Sequence, residues 1–247
     1  MDKLVNLLYC EFLKLKRSQM FLISIMGAFV APLMVFGGWM KAKVKGHGDI
    51  VTYEYFFSDV NLYTIMVFGL IVYCVIAAYL FSREHTENTL KTILTIPVSK
   101  TKFIFTKFIM LYIWIIGLTL ITWTSSLILT LIGGATDFRI DVIGSSSVAF
   151  LLGATLLYLT LTPFVYATLW FKNIVPVIIG AASVTMINIM LSNDELMALF
   201  PWTATYVIAS HKSIPTYPVA LSYLSVLIIG GIGFVASLLY FKGQDII

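Results

Sequence analysis

The sequence predicts an all-α integral membrane protein: six transmembrane helices, an N-terminal amphipathic interfacial helix, one helical inner loop, and a re-entrant or interfacial outer segment before the last helix. Three observations predict it. Hydrophobic residues make up 60% of the chain and charged residues 11%, against roughly 45–50% and about 25% in soluble domains. Too few polar residues remain to cover a core, so the surplus apolar surface must meet lipid. Six runs, 20–40, 61–81, 108–132, 147–171, 174–191 and 219–241, contain no Asp, Glu, Lys, Arg or His. A helix of about 20 residues crosses the hydrocarbon core, and one charge at its middle costs roughly 2.5–3.5 kcal/mol, so six charge-free runs are a strong signal.

Residues 1–17 carry Leu4, Leu8, Phe12 and Leu15 on one helical stripe, with Lys3, Glu11, Lys14 and Arg17 around the rest. That pattern fits a helix lying in the headgroup region; the alternative is an extension of the first span with ordinary basic flanking. Its charge density and the length of the next run argue against a cleaved signal peptide. Pro32, Pro163 and Pro176 fall within spans, where neighbouring helices can satisfy the carbonyls they free. The fifth run is the shortest and holds Asn188, which makes its ends the hardest to place.

With the N-terminus inside, eleven of the sixteen Lys and Arg lie on the inner side and five on the outer, while acidic residues divide five to seven. The positive-inside rule therefore puts both termini in the cytoplasm. The cluster Lys41, Lys43, Lys45 dissents, with Asp49, Glu54 and Asp59 near enough in sequence to offset it. The inner turnarounds are then the long loop 82–107 and the tight turn at Lys172 and Asn173; the outer connections are 41–60, 133–146 and 192–218.

In the loop 82–107, Leu90, Ile93 and Leu94 stand at i, i+3 and i+4, Glu84 and Glu87 precede them, Pro97 ends the helix and Ser99 caps the next. This predicts a short amphipathic helix across the inner face, or a solvated turn that only shields it. In the outer segment, residues 196–208 are apolar and aromatic but too few to span, hence a re-entrant or interfacial element with Pro201, Trp202 and Tyr206. It either seals an outward exit or is a lid on helix ends. Gly230, Gly231, Gly233 and Ser237 give the last span a smooth side for close packing, within the chain or against a second copy.

Several chemistries have no footing. There is no phosphate-binding Gly-x-x-x-x-Gly-Lys motif, no zinc pair and no nucleophile elbow. Cys10 and Cys74 offer neither a disulfide framework nor metal spacing. The spans hold no ionisable group of the kind ion-coupled transporters use. Two further classes are weighed against transport: a non-transporting membrane sensor or scaffold, and a membrane-embedded hydrolase using His85 or the outer carboxylates.

Two stretches resemble the permease subunits of type-2 ABC exporters, the ABC-2 superfamily. Glu11-Phe12-Leu13-Lys14-Leu15-Lys16-Arg17-Ser18 is similar to that family's N-terminal interfacial helix. Glu84-His85-Thr86-Glu87-Asn88-Thr89-Leu90-Lys91-Thr92-Ile93-Leu94, followed by Pro97, Ser99 and Lys100, resembles its loop motif, with Asn88 where Gly is usual. Asn tolerates the left-handed backbone next best, so the turn survives. Leu199-Phe200-Pro201-Trp202 before the last span also matches.

The resemblance implies that the loop is a coupling helix docking on a separate ATP-binding subunit through Glu84, Glu87, Thr89, Leu90, Ile93 and Leu94. It assigns Glu11, Lys14 and Arg17 to the interfacial helix, and Pro201, Trp202 and Tyr206 to the outer segment. It further implies two copies of the ATPase, a second permease (identical or homologous), membrane lipids, and a peptide or other amphiphilic substrate of the bacitracin or lantibiotic kind. The setting is the bacterial plasma membrane. This chain would then carry no catalytic residue, cofactor, metal or nucleic-acid site.

Overall fold

Small polar side chains start three of the α-helices and left-handed residues stop two of them. The computed structural model describes residues 3–16, 18–45, 51–87 and 99–243. Helix α1 (Lys3–Lys16) leads through Ser18, whose hydroxyl accepts the Met20 N–H at 3.1 Å, into α2 (Gln19–Val44). Thr52 caps α3 (Tyr53–Tyr63) in the same way. A π turn at Thr64–Phe68 joins α3 to α4 (Gly69–Thr86). Ser99, the expected cap, accepts the Lys102 N–H at 3.3 Å and opens α5 (Lys100–Gly133). Gly134, at φ +70°, closes it in a conformation that costs glycine nothing.

Helices α6 (Ile140–Thr160) and α7 (Thr162–Phe171) form one path, broken at Leu161. Lys172, left-handed at φ +54°, and Asn173, whose side chain accepts the Val175 N–H at 3.0 Å, turn the chain tightly into α8 (Val175–Leu191). A 3-10 turn, Glu195–Ala198, and α9 (Pro201–Ala209) precede α10 (Val219–Gly243). Five paths are long and apolar enough to cross a membrane: Gln19–Val44, Tyr53–Thr86, Lys100–Gly133, Ile140–Phe171 and Val219–Gly243. The fifth expected run becomes α8, apolar but only 17 residues long, about 25 Å at 1.5 Å per residue.

Several helices outrun the charge-free stretches from which spans were read. α5 begins at Lys100 and carries Lys107 inside it, and α3 starts within what reads as an outer connection. Hydropathy marks where lipid is tolerated, not where the backbone ladder ends. The segment expected to re-enter is α9. Thr203, Ala204, Thr205, Val207, Ile208 and Ala209 are all buried in it, the two threonine hydroxyls donating to the Met197 and Trp202 carbonyls.

The prolines follow the rule expected of them. Pro32 cannot donate to the Ala28 carbonyl, which instead lies 3.1 Å from the Thr122 hydroxyl of α5. Pro163 likewise frees the Leu159 carbonyl, reached by the Thr162 hydroxyl at 3.0 Å. The Trp202 indole N–H of α9 donates to the Thr160 carbonyl at 3.2 Å beside the same break. A carbonyl left bare in an apolar interior is costly, so each kink is paired with a donor from elsewhere.

The π turn has the same logic. The Gly69 N–H donates to the Thr64 carbonyl, five residues back. A Cβ on Gly69 would sit 2.3 Å from that oxygen, so the wide turn requires glycine there. Asn188 of α8, fully buried, donates its amide to the Met66 carbonyl inside the turn at 3.0 Å.

Gly230 and Gly233 of the last span serve packing within the chain. α10 lies most extensively on α7. A Cβ on Gly233 would come within 2.4 Å of the Pro163 nitrogen, whereas one on Gly231 would meet nothing. Gly233→Ala should therefore destabilise the protein by about 1–3 kcal/mol, and Gly231→Ala by less than about 0.5 kcal/mol. Thermal unfolding of both variants in one detergent measures the contrast.

Candidate coupling site

At one end of the bundle the chain gathers charge beneath its surface. There α1 packs on α5, and Phe81, Glu84 and His85 of α4 meet Phe103, Ile104 and Lys107 of α5, Leu169 of α7 and Phe241 of α10. The stacked rings of Phe103 and Phe241, 6.0 Å apart, close the far side.

Lys107 is the centre. It is 2% exposed, as is Glu84, and Glu11 is 4% exposed. The Lys107 ammonium lies 2.6 Å from Glu84 Oε2 and 3.8 Å from Glu11 Oε2, and it also donates to the Leu80 carbonyl. The rings of Phe81 and Phe103 flank it at 5.9 Å and 5.3 Å. Lys14 completes the square: its ammonium is 2.7 Å from Glu11 Oε1 and 3.4 Å from Glu84 Oε1. Two lysines and two glutamates balance to zero.

Burial by itself would lower the pKa of Lys14. The hydrogen bond and charge of Glu11, with Glu84 beyond it, outweigh that and hold it above the ordinary lysine value. Lys14 therefore stays charged at any physiological pH.

The geometry brings together some expected residues and separates others. Glu11 and Lys14 of α1 meet Glu84. Glu87, exposed at the end of α4, pairs with Arg83 at 2.8 Å. Glu84, expected at the contact surface, is instead enclosed by its two lysines. Arg17, Thr89, Leu90, Ile93 and Leu94 lie outside the described residues.

α1 itself is turned relative to expectation. Glu11 and Leu15 are buried, while Phe12 and Tyr9 are exposed. The helix docks by a mixed face because what it docks on is charged. Sequence reasoning missed Lys107, which it counted only as a basic flank. The single hint was a lysine directly against the start of an apolar run, with a glutamate just past the end of the preceding one.

A second link joins the same elements, the Tyr79 hydroxyl of α4 donating to Ser18 Oγ at 2.8 Å. So the interfacial helix is tied to both roots of the loop 82–107.

The hydrolytic alternative finds no constellation here. His85 is half-buried and its Nε2 has no hydrogen-bond partner, while the adjacent Glu84 is committed to lysines. At the opposite end Asp137, Glu54 and Asp141 surround Arg139 at 3.2, 3.7 and 3.9 Å. Glu54 thus faces Arg139 rather than the Lys41, Lys43, Lys45 cluster, from which Lys43 donates to the Gly133 carbonyl at 3.1 Å.

Lys107→Met should cost about 3–5 kcal/mol, because it strands two buried carboxylates beside one lysine. The double variant Lys107→Met, Glu84→Met should recover most of that loss. Detergent melting curves of the two variants decide it, since a cluster of no structural consequence gives equal values.

The chain matches the model of the ABC-2 family transporter protein over residues 7–192. It is also 41% identical over 207 residues to the bacitracin transport permease protein BCRB of Bacillus licheniformis, an alignment covering 84% of this chain and the whole of that relative. The matched stretch contains every described member of the charge cluster. On this similarity, added to the all-helical membrane architecture, the chain belongs to the ABC-2 transporter family and is a permease subunit.

Proposed function

We propose that this permease is half of an ATP-driven exporter that removes a bacitracin-like peptide antibiotic from the bacterial plasma membrane. The charged end of the bundle faces the cytoplasm, with both termini, as the distribution of Lys and Arg favours. Two copies of a separate ATP-binding subunit sit beneath it, and a second permease, identical or homologous, completes the pathway. The cargo reading rests on similarity to a permease described as transporting bacitracin.

The observation that carries the coupling role is the buried four-charge cluster. A lever transmits force only if its roots do not yield. Here Glu84 and Lys107, on either side of the loop, are held to each other by an ion pair out of solvent, and to α1 through buried Glu11 and partly exposed Lys14. Movement of the loop 82–107 is then passed to α4, α5 and α1 together. Glu87 at the exposed rim, with Thr89, Leu90, Ile93 and Leu94 beyond it, supplies the contact with the motor. Closure of the ATPase pair favours one arrangement of the permeases over the other, and that difference in contact free energy shifts the equilibrium. An amphiphile already in the membrane then leaves outward without a wide aqueous pore.

Leu90→Asp and Leu94→Asp should each abolish stimulation of the ATPase and lower bacitracin resistance to that of cells lacking the permease, with membrane insertion unchanged. Retained ATPase association and resistance in both variants refute the coupling assignment. Orientation has its own test: a thiol placed by Glu87→Cys should resist an impermeant reagent in intact cells and react in inverted vesicles.

A further inference from the structure

The opposite end of the bundle contains a cavity of about 280 Å³ between α3, α6 and α9. Its mouth is marked by Glu54 and Ser145, its walls by Phe57 and Phe150, and its interior by Asn61 and Tyr206. Asn61 stands seven residues along α3 from Glu54, about 10 Å deeper at 1.5 Å per residue.

Two side chains there are unexplained by the fold. Asn61 is 4% exposed and Tyr206 is 8% exposed. Yet neither the Asn61 amide nor the Tyr206 hydroxyl hydrogen-bonds any other group among the described residues. The other buried amide of the bundle, Asn188, donates to a backbone carbonyl, although its Oδ1 is unpaired. Their polar atoms are not sealed off from solvent and reach it through the cavity, so a ligand filling that space must replace the water they would otherwise bind. These two line a space large enough to admit their partner.

We propose that this cavity is a binding site for one residue of an amphiphilic peptide, its apolar side chain between Phe57 and Phe150 and its main-chain amide paired with Asn61. A primary amide offers both a donor and an acceptor, which matches a peptide unit; the Tyr206 hydroxyl adds one more of either kind. Phosphate-bearing lipid headgroups fit less well, since the lining contains no Lys or Arg, His211 is its one cation-forming side chain, and Glu54 is included, itself shared with Arg139 at 3.7 Å. The volume lies just below the roughly 300–1,000 Å³ of drug-sized pockets, so it takes one or two residues and not a whole antibiotic. This deepens the exporter reading and rests on it: on the orientation proposed above, the site opens outward, where a departing peptide would be held last.

The test uses the full permease with its ATP-binding subunit in lipid nanodiscs, carrying Cys10→Ser and the reporter Ser145→Cys at the mouth. Saturating bacitracin should slow reaction of the introduced thiol with a small charged reagent. Asn61→Leu and Tyr206→Phe should each raise the bacitracin concentration needed for half-protection about tenfold, the loss of one good hydrogen bond. Co-purification with the ATPase subunit shows that each variant is assembled. Half-protection unchanged in both assembled variants overturns the site. If bacitracin accelerates ATP hydrolysis but leaves the thiol's rate unchanged, the exporter reading stands and this site is wrong. If it does neither, both fail. Shielding in nanodiscs before any peptide is added, with reactivity in detergent, assigns the cavity to lipid and also overturns the proposal.

Discussion

An ammonium group carried out of water must find its counter-charge inside the protein, and Lys107 is the place where this chain meets that demand. Two charges of each sign lie within 4 Å of an opposite partner. Such a square is of little net benefit to stability compared with apolar packing, because desolvating ions offsets most of their attraction. Its value is in position. Any displacement of α1, α4 or α5 that parts the square leaves a bare charge, so the three helix ends are constrained to move as one.

The same requirement, applied to the backbone, explains the interior of the bundle. Pro32 and Pro163 each free a carbonyl, and hydroxyls of Thr122 and Thr162 reach them. The indole of Trp202 serves the break at Leu161, and the amide of Asn188 serves the π turn. Thr122, Trp202 and Asn188, each reaching in from another helix, also fix which helix lies beside the break. Dispersion and small residues let α10 and α7 approach closely; polar stitches decide where along their length the other helices register.

Much of this was legible in the sequence. Charge-free runs located the helices, Ser99 announced the start of α5, and the proline at 201 marked a short buried helix that could not span. The charge square was not legible, because Glu11, Glu84 and Lys107 are distant in sequence and periodicity along one helix says nothing about which neighbour its face meets. The stripe of Leu8, Phe12 and Leu15 suggested a helix in the headgroup region; Phe12 is exposed on it, while Glu11 and Leu15 turn inward onto a partner surface that is charged. The π turn left no trace except Gly69. A helix that widens for one turn keeps the same composition as one that does not. The polar lining of the outer cavity was hidden for the same reason: Asn61 and Tyr206 lie on elements whose packing no local pattern dictates.

The widened turn at Thr64–Phe68 also sets the azimuth of everything that follows it. A π turn accommodates one residue more than an α-helical turn, and each residue of an ordinary helix rotates the chain by about 100°. Were Thr64–Phe68 wound as regular helix, α4 would leave it rotated by roughly that angle, and Glu84 would point away from both lysines. The one extra residue held in this turn thus decides whether a charge about five helical turns away meets its partners.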